Sequence, residues 1–161
     1  MGTKPFLLDR RHVLGLMAAG PMVLASRAHA NALPALVVHH DPTCGCCHKW
    51  VDHLRANGFS VTLTDEPSMK AVKARLGVPP ALAACHTGEV GGYVIEGHVP
   101  ADAIKRLLAE RPSARGLAVP GMPIGSPGME VEGSAPEIYD VMLFGADEPQ
   151  VFGRYRESKA V

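Results

Sequence analysis

The chain has 161 residues, 47% hydrophobic and 20% charged, with 16 basic and 16 acidic side chains. That length suits one domain, the apolar fraction excludes a disordered chain, and zero net charge lacks the basic footprint that nucleic acid demands. Four cysteines are few for a disulfide scaffold, so their placement decides their use.

Residues 1–30 read as an export signal. Lys4, Arg10 and Arg11 form a basic start. Val13 to Ala25 is an uncharged apolar run too short to span a bilayer, and Ala28-His29-Ala30 is a small-x-small cleavage pattern. Arg10-Arg11 also fits the twin-arginine type, with Asp9 where such signals carry Ser or Thr, so both export routes stay open. Cleavage after Ala30 leaves 131 residues, 161 less 30. It removes four basic residues (Lys4, Arg10, Arg11, Arg27) and one acidic residue (Asp9), taking the net charge from 0 to −3. All four Cys remain. The expected product, residues 31–161, is one soluble periplasmic domain with no membrane span.

Ala35 to His39 is an apolar, β-branched run and reads as a buried strand, ended by Asp41-Pro42-Thr43. Cys44-Gly45-Cys46-Cys47 follows. His48 to Asn57 reads as a helix, with Trp50, Val51 and Leu54 at helical spacing and Gly58 as the stop. Phe59 to Leu63 alternates as a second strand. Ser68 is expected to cap a short helix that runs to Leu76 and ends at Gly77. Leu82 to His86 and Gly92 to Glu96 read as strands around a Thr87-Gly88-Glu89 turn. A helix is expected from Pro100 or Ala101 to Glu110. Gly116 to Glu132 is so rich in Pro and Gly that neither helix nor central strand is expected there, but a long functional loop. Tyr139 to Phe144 and Gln150 to Tyr155 read as a closing hairpin. This order matches a thioredoxin-like α/β layout: a central mixed sheet flanked by helices, with an added Pro/Gly/Met loop and a C-terminal hairpin.

Cys44 and Cys47 form a C-x-x-C at a strand-to-helix turn. Free backbone N–H groups and the helix dipole favour thiolate there, which suits both redox chemistry and metal binding. Cys46 between them gives three sulfurs in four residues, more than a dithiol switch needs and close to a cradle for soft Cu(I). In a thioredoxin-like fold the hairpin carrying Cys85 passes near the start of the first helix, so Cys85 is expected to close the site. Met122 and Met129 offer thioethers if the loop folds over it; the plainer reading is core filler. His39, His40, His48, His53, His86 and His98 are candidate borderline ligands. Of these, His86 stands beside Cys85, whereas His98 reads as a loop residue without ligand duty. Two static disulfides, or a four-cysteine zinc site, are the bland alternatives.

Four blocks together resemble a known family. Cys44-Gly45-Cys46-Cys47, Ala84-Cys85-His86-Thr87, the run Tyr93 to Pro100 and the run Gly116 to Glu130 look like the signatures of the DUF411 family, which includes periplasmic copper-resistance proteins of the CopG type. The resemblance spans Ala35 to Phe152. It implies a thioredoxin-like fold and copper, as Cu(I), at a multinuclear thiolate site of Cys44, Cys46, Cys47 and Cys85, with His86, Met122 and Met129 as neighbours. Expected partners are copper ions and another periplasmic copper protein or exporter. A thiol–disulfide or copper oxidoreductase using Cys44 and Cys47 is the competing expectation. Ordinary thioredoxins place a cis-proline before the strand facing the C-x-x-C; here Pro80 is the nearest candidate.

Overall fold

The structure is a computed structural model that describes residues 1–2, 32–145 and 147–161. The expected export signal therefore lies outside the described residues, apart from its first two. Everything below belongs to the unit Asn31–Val161.

The described residues form eight strands and three α-helices. In order they are β1 (Leu36–His40), α1 (Gly45–Ala56), β2 (Val61–Asp65), α2 (Met69–Leu76), β3 (Thr87–Val90), β4 (Tyr93–Glu96), α3 (Ala101–Glu110), β5 (Gly116–Ala118), β6 (Ile138–Phe144), β7 (Gln150–Arg156) and β8 (Lys159–Ala160). All eight strands form one sheet, ordered β2-β1-β3-β4-β5-β6-β7-β8. The β1–β2 and β4–β5 pairs are parallel, and the others antiparallel. The fold is thus mixed α/β, and the C-terminal hairpin extends the main sheet.

Strand alternation sorts the core into two faces. Leu36, Val38, Ile95 and Leu117 point to the face shared with Trp50, Val51 and Leu54 of α1 and Ile104 and Leu107 of α3. Val94, Ala118 and Phe144 point the other way, to Val72 and Leu76 of α2. The neighbours Val94/Ile95 and Leu117/Ala118 thus serve opposite layers, as a period of two requires. Ser68 caps α2 by accepting the Ala71 N–H, and Gly77 closes it with a left-handed φ of 73°.

Four expectations need correction. The segment Leu82 to His86 is not a strand: Pro80–Leu82 is a 3₁₀ turn, and pairing begins only at Thr87. Thr87-Gly88-Glu89 is strand β3, and the turn is Gly91-Gly92, both at positive φ. The reason is that Thr87 and Gly88 pair on both sides, with β1 and with β4. Cys85 therefore sits on the approach to β3, not within a strand. Last, Gly116–Ala118 is an interior strand between β4 and β5's other neighbour, β6, despite its composition. Gly116 is what the position demands, because a Cβ there would lie 1.7 Å from the Val94 carbonyl oxygen. In addition, α1 starts at Gly45, so Cys46 and Cys47 lie in its first turn.

Candidate metal centre

The loop between β1 and α1 is shaped by Asp41, whose carboxylate accepts both the N–H and the hydroxyl of Thr43, while its carbonyl accepts the Cys44 N–H at 2.9 Å. Cys44 becomes the N-cap of α1, and no acidic side chain stands in the first turn. The helix end therefore presents unneutralised N–H dipoles to the sulfurs beside it. Cys44 and Cys47 are joined as a disulfide, and Cys46 and Cys85 are free thiols. Cys47 is buried, and the other three are half-buried.

The four sulfurs converge. All lie within 4.8 Å of one another. Cys46 Sγ is 3.4 Å from Cys44 Sγ and 3.8 Å from Cys85 Sγ. Cys85 also belongs to a second cluster, with His86 and His98. Its sulfur lies 3.1 Å from His86 Nδ1 and 3.2 Å from His98 Nε2. Burial, and then the neighbouring Cys46, push the Cys85 thiol up to about 12, so it holds its proton in the metal-free protein.

Both imidazoles are held neutral. Burial lowers His86 well below its ordinary value, with His98 adding to the shift, and burial also lowers His98. The Pro127 carbonyl accepts the His98 Nδ1–H at 2.8 Å, which leaves His98 Nε2 as an acceptor facing Cys85. The Cys85 S–H then donates to His98, and His86 Nδ1–H donates to the sulfur. That leaves His86 Nε2 buried and without a partner among the described residues, its ring tilted 36° against Trp50 with the centroids 4.2 Å apart.

The Pro/Gly loop lies against this centre. Besides the Pro127 carbonyl on His98, Gly128 packs on the first turns of α1: at φ 89°, a Cβ there would lie 2.7 Å from Trp50 N and 3.0 Å from the Cys46 carbonyl oxygen. Internal bonds stiffen the loop. Gly125 N–H donates to the Met129 carbonyl, Ser126 Oγ to Pro123, and Gly128 N–H to the Glu130 carboxylate. Met122 is 52% exposed, whereas Met129 is half-buried.

The remaining histidines make other contacts. His39 lies between Glu66 (2.6 Å) and Glu89 (3.0 Å), and His40 Nε2 is 3.1 Å from Asp65. His48 sets its ring edge-on to His40. His53 Nε2 accepts the Ala101 N–H and so caps α3. His98, named among the candidate ligands but read as a loop residue without ligand duty, meets Cys85, 13 residues away across the β3–β4 hairpin. Also unforeseen was the buried Glu96, which accepts from Ala84 N–H, Thr87 Oγ1 and Lys73.

Soft thiol sulfur dominates the donor set, with imidazole nitrogen at its edge, a combination that favours Cu(I) and zinc over hard cations. Fold and site together define a mixed α/β protein with a cysteine-rich centre of metal-binding type. Residues 82–129 match the family described as "Protein of unknown function, DUF411". Two solved structures, described as copper resistance protein CopG in form 2 and form 1, are each 48% identical to this chain; each match covers 76% of this chain and 98% of the other, with TM-scores of 0.72 and 0.71. A comparison with curated proteins gave no match. The chain belongs to the DUF411 family, that of copper resistance protein CopG. Among the described residues no helix is long and apolar enough to cross a membrane.

Proposed function

We propose that this chain is an exported, periplasmic Cu(I)-binding protein of copper homeostasis or resistance, with Cys44, Cys46, Cys47 and Cys85 as thiolate ligands. One observation carries the reading: four sulfurs within 4.8 Å of one another, gathered from the start of α1 and the approach to β3. Thiolate is the donor that Cu(I) prefers. Reduction of the Cys44–Cys47 disulfide by two electrons and two protons must come first, since a disulfide sulfur is a poor ligand. The imidazole of His86 and the thioethers of Met122 and Met129 are offered as auxiliary donors. The arrangement β2-β1-β3-β4, with α1 and α3 on one face, supports a thioredoxin-like reading of the fold. Among the described residues no peptide bond is cis, so Pro80 does not supply the cis-proline of an ordinary thioredoxin. Copper would come from, or pass to, another periplasmic copper protein or an exporter.

The test is anaerobic competition between the reduced 31–161 protein and a chromophoric Cu(I) chelator of moderate affinity. Withdrawal of copper from the chelator, with the four thiols protected from alkylation, is expected; no withdrawal overturns the reading.

A second reading is a thiol–disulfide or copper oxidoreductase using Cys44 and Cys47. The disulfide at a helix N-terminus, where thiolate is favoured, supports it. Its test is the pH dependence of Cys44 alkylation together with turnover of a disulfide substrate. Alkylation like that of an ordinary thiol, without turnover, removes it.

A further inference from the structure

A disulfide with one free thiol against it and a second free thiol behind the first is a different object from an isolated C-x-x-C pair. Cys46 Sγ touches Cys44 Sγ at 3.4 Å, and Cys85 Sγ stands 3.8 Å beyond Cys46. The contacts run in series, 44 to 46 to 85. Cys46 comes from the first turn of α1 and Cys85 from the approach to β3, 39 residues away. Cys44, Cys46 and Cys85 are half-buried.

We propose that the four cysteines form an internal disulfide relay, in which the link moves from Cys44–Cys47 to Cys46–Cys85 through a Cys44–Cys46 intermediate. In the first exchange Cys46 gives its proton to solvent and attacks Cys44. The Cys44–Cys46 bond forms, the Cys44–Cys47 bond breaks, and Cys47 leaves with the electron pair and takes up a proton. In the second, Cys85 attacks Cys46 while its proton moves toward His98 Nε2, 3.2 Å away, as the new bond forms. The Cys46–Cys85 bond forms, the Cys44–Cys46 bond breaks, and Cys44 leaves with the electron pair and recovers the proton. One disulfide and two thiols exist at both ends, so no external oxidant or reductant enters. The result frees the pair at the helix N-terminus and ties α1 to the segment ahead of β3. The relay concerns the metal-free protein and stands apart from the copper reading.

The experiment takes metal-free 31–161 protein with two titratable thiols, incubates it anaerobically, quenches it with acid at intervals, alkylates it and maps the linkages by mass spectrometry. Early samples should carry the alkyl label on Cys46 and Cys85. Later samples should contain a Cys46–Cys85-linked peptide pair with label on Cys44 and Cys47, at a rate independent of protein concentration. Cys46→Ser should lose the transfer entirely. As a second arm, Cys47→Ser is treated with oxidised glutathione to load Cys44. The relay predicts release of glutathione, Cys44 returned as a thiol and Cys46 bonded to Cys85. If wild type never leaves the Cys44–Cys47 linkage, or if glutathione stays on Cys44 in Cys47→Ser, the relay is overturned.

Discussion

The Glu96 carboxylate accepts the backbone N–H of Ala84 at 2.6 Å, one residue before Cys85. It is fully buried on β4, and the same oxygen takes the Lys73 ammonium from α2 while the other takes the Thr87 hydroxyl. A buried charge persists only when paired and hydrogen-bonded. Glu96 thus fixes the approach to β3 and, through it, the direction of the Cys85 sulfur. Replacing Glu96 by Gln keeps the shape and strands Lys73. Urea unfolding should show a loss of about 3 kcal/mol, and Cys85 should alkylate faster in the folded state. Stability within about 0.5 kcal/mol of wild type would contradict this assignment.

Acid should weaken the metal-free fold from just below neutrality. His53, His86 and His98 all have pKa values lowered from the ordinary 6.5, each chiefly by burial. Between the lowered values and 6.5 the unfolded chain binds more protons than the folded one, so stability rises with pH there. Their contribution is complete above 6.5 and drains away as pH falls toward the folded values. Calorimetric Tm should therefore drop between pH 7.5 and 5. His53→Asn should flatten that slope by removing one of the three groups. A Tm that rose on acidification would contradict this account.

Gly128→Ala tests the contact between loop and helix. A methyl group there meets backbone atoms of Cys46 and Trp50, which cannot swing aside, at a φ that L-residues avoid. The expected cost is about 2 kcal/mol. The sharper readout is Cys46, whose alkylation should accelerate as the loop lifts. Unchanged labelling with an unchanged fold would mean that the loop does not limit access.

Cys85→Ser separates the cluster from the C-x-x-C. It removes the only cysteine outside residues 44–47 and should weaken Cu(I) binding by more than about tenfold, which is 1.4 kcal/mol. The Cys44–Cys47 disulfide should still form. Equal copper affinity in chelator competition would show that α1 holds the metal alone.

Much of the architecture was legible locally. The α2 boundaries followed from Ser68 and Gly77, and α3 from Pro100 and its apolar face, because caps act within one turn. Three of the four sulfurs were visible as a unit because they share four residues. The strand at Gly116–Ala118 was not legible: its glycine answers to the Val94 carbonyl, a tertiary crowding that composition cannot express. The β3 turn was misplaced because Thr87-Gly88-Glu89 has turn chemistry, and pairing with β1 and β4 overrides it. The roles of His98 and Glu96 escaped for the same reason, since they depend on partners brought near by the hairpin and by α2.

The Pro/Gly loop that lies against the centre leaves the sheet after Ala118 and returns at Ile138, and those two strands are themselves paired, Ala118 opposite Met142 and Leu117 opposite Leu143. Its two feet stand on adjacent planks. A terminal tail in that place could swing clear as a whole, but a segment clamped at both ends can only buckle in its middle. The three C-terminal strands, which touch none of the cysteines in sequence, act as the far jaw of that clamp. Trimming them would loosen the loop against a centre just over a hundred residues upstream, since 103 positions separate Cys47 from Gln150 at the start of β7.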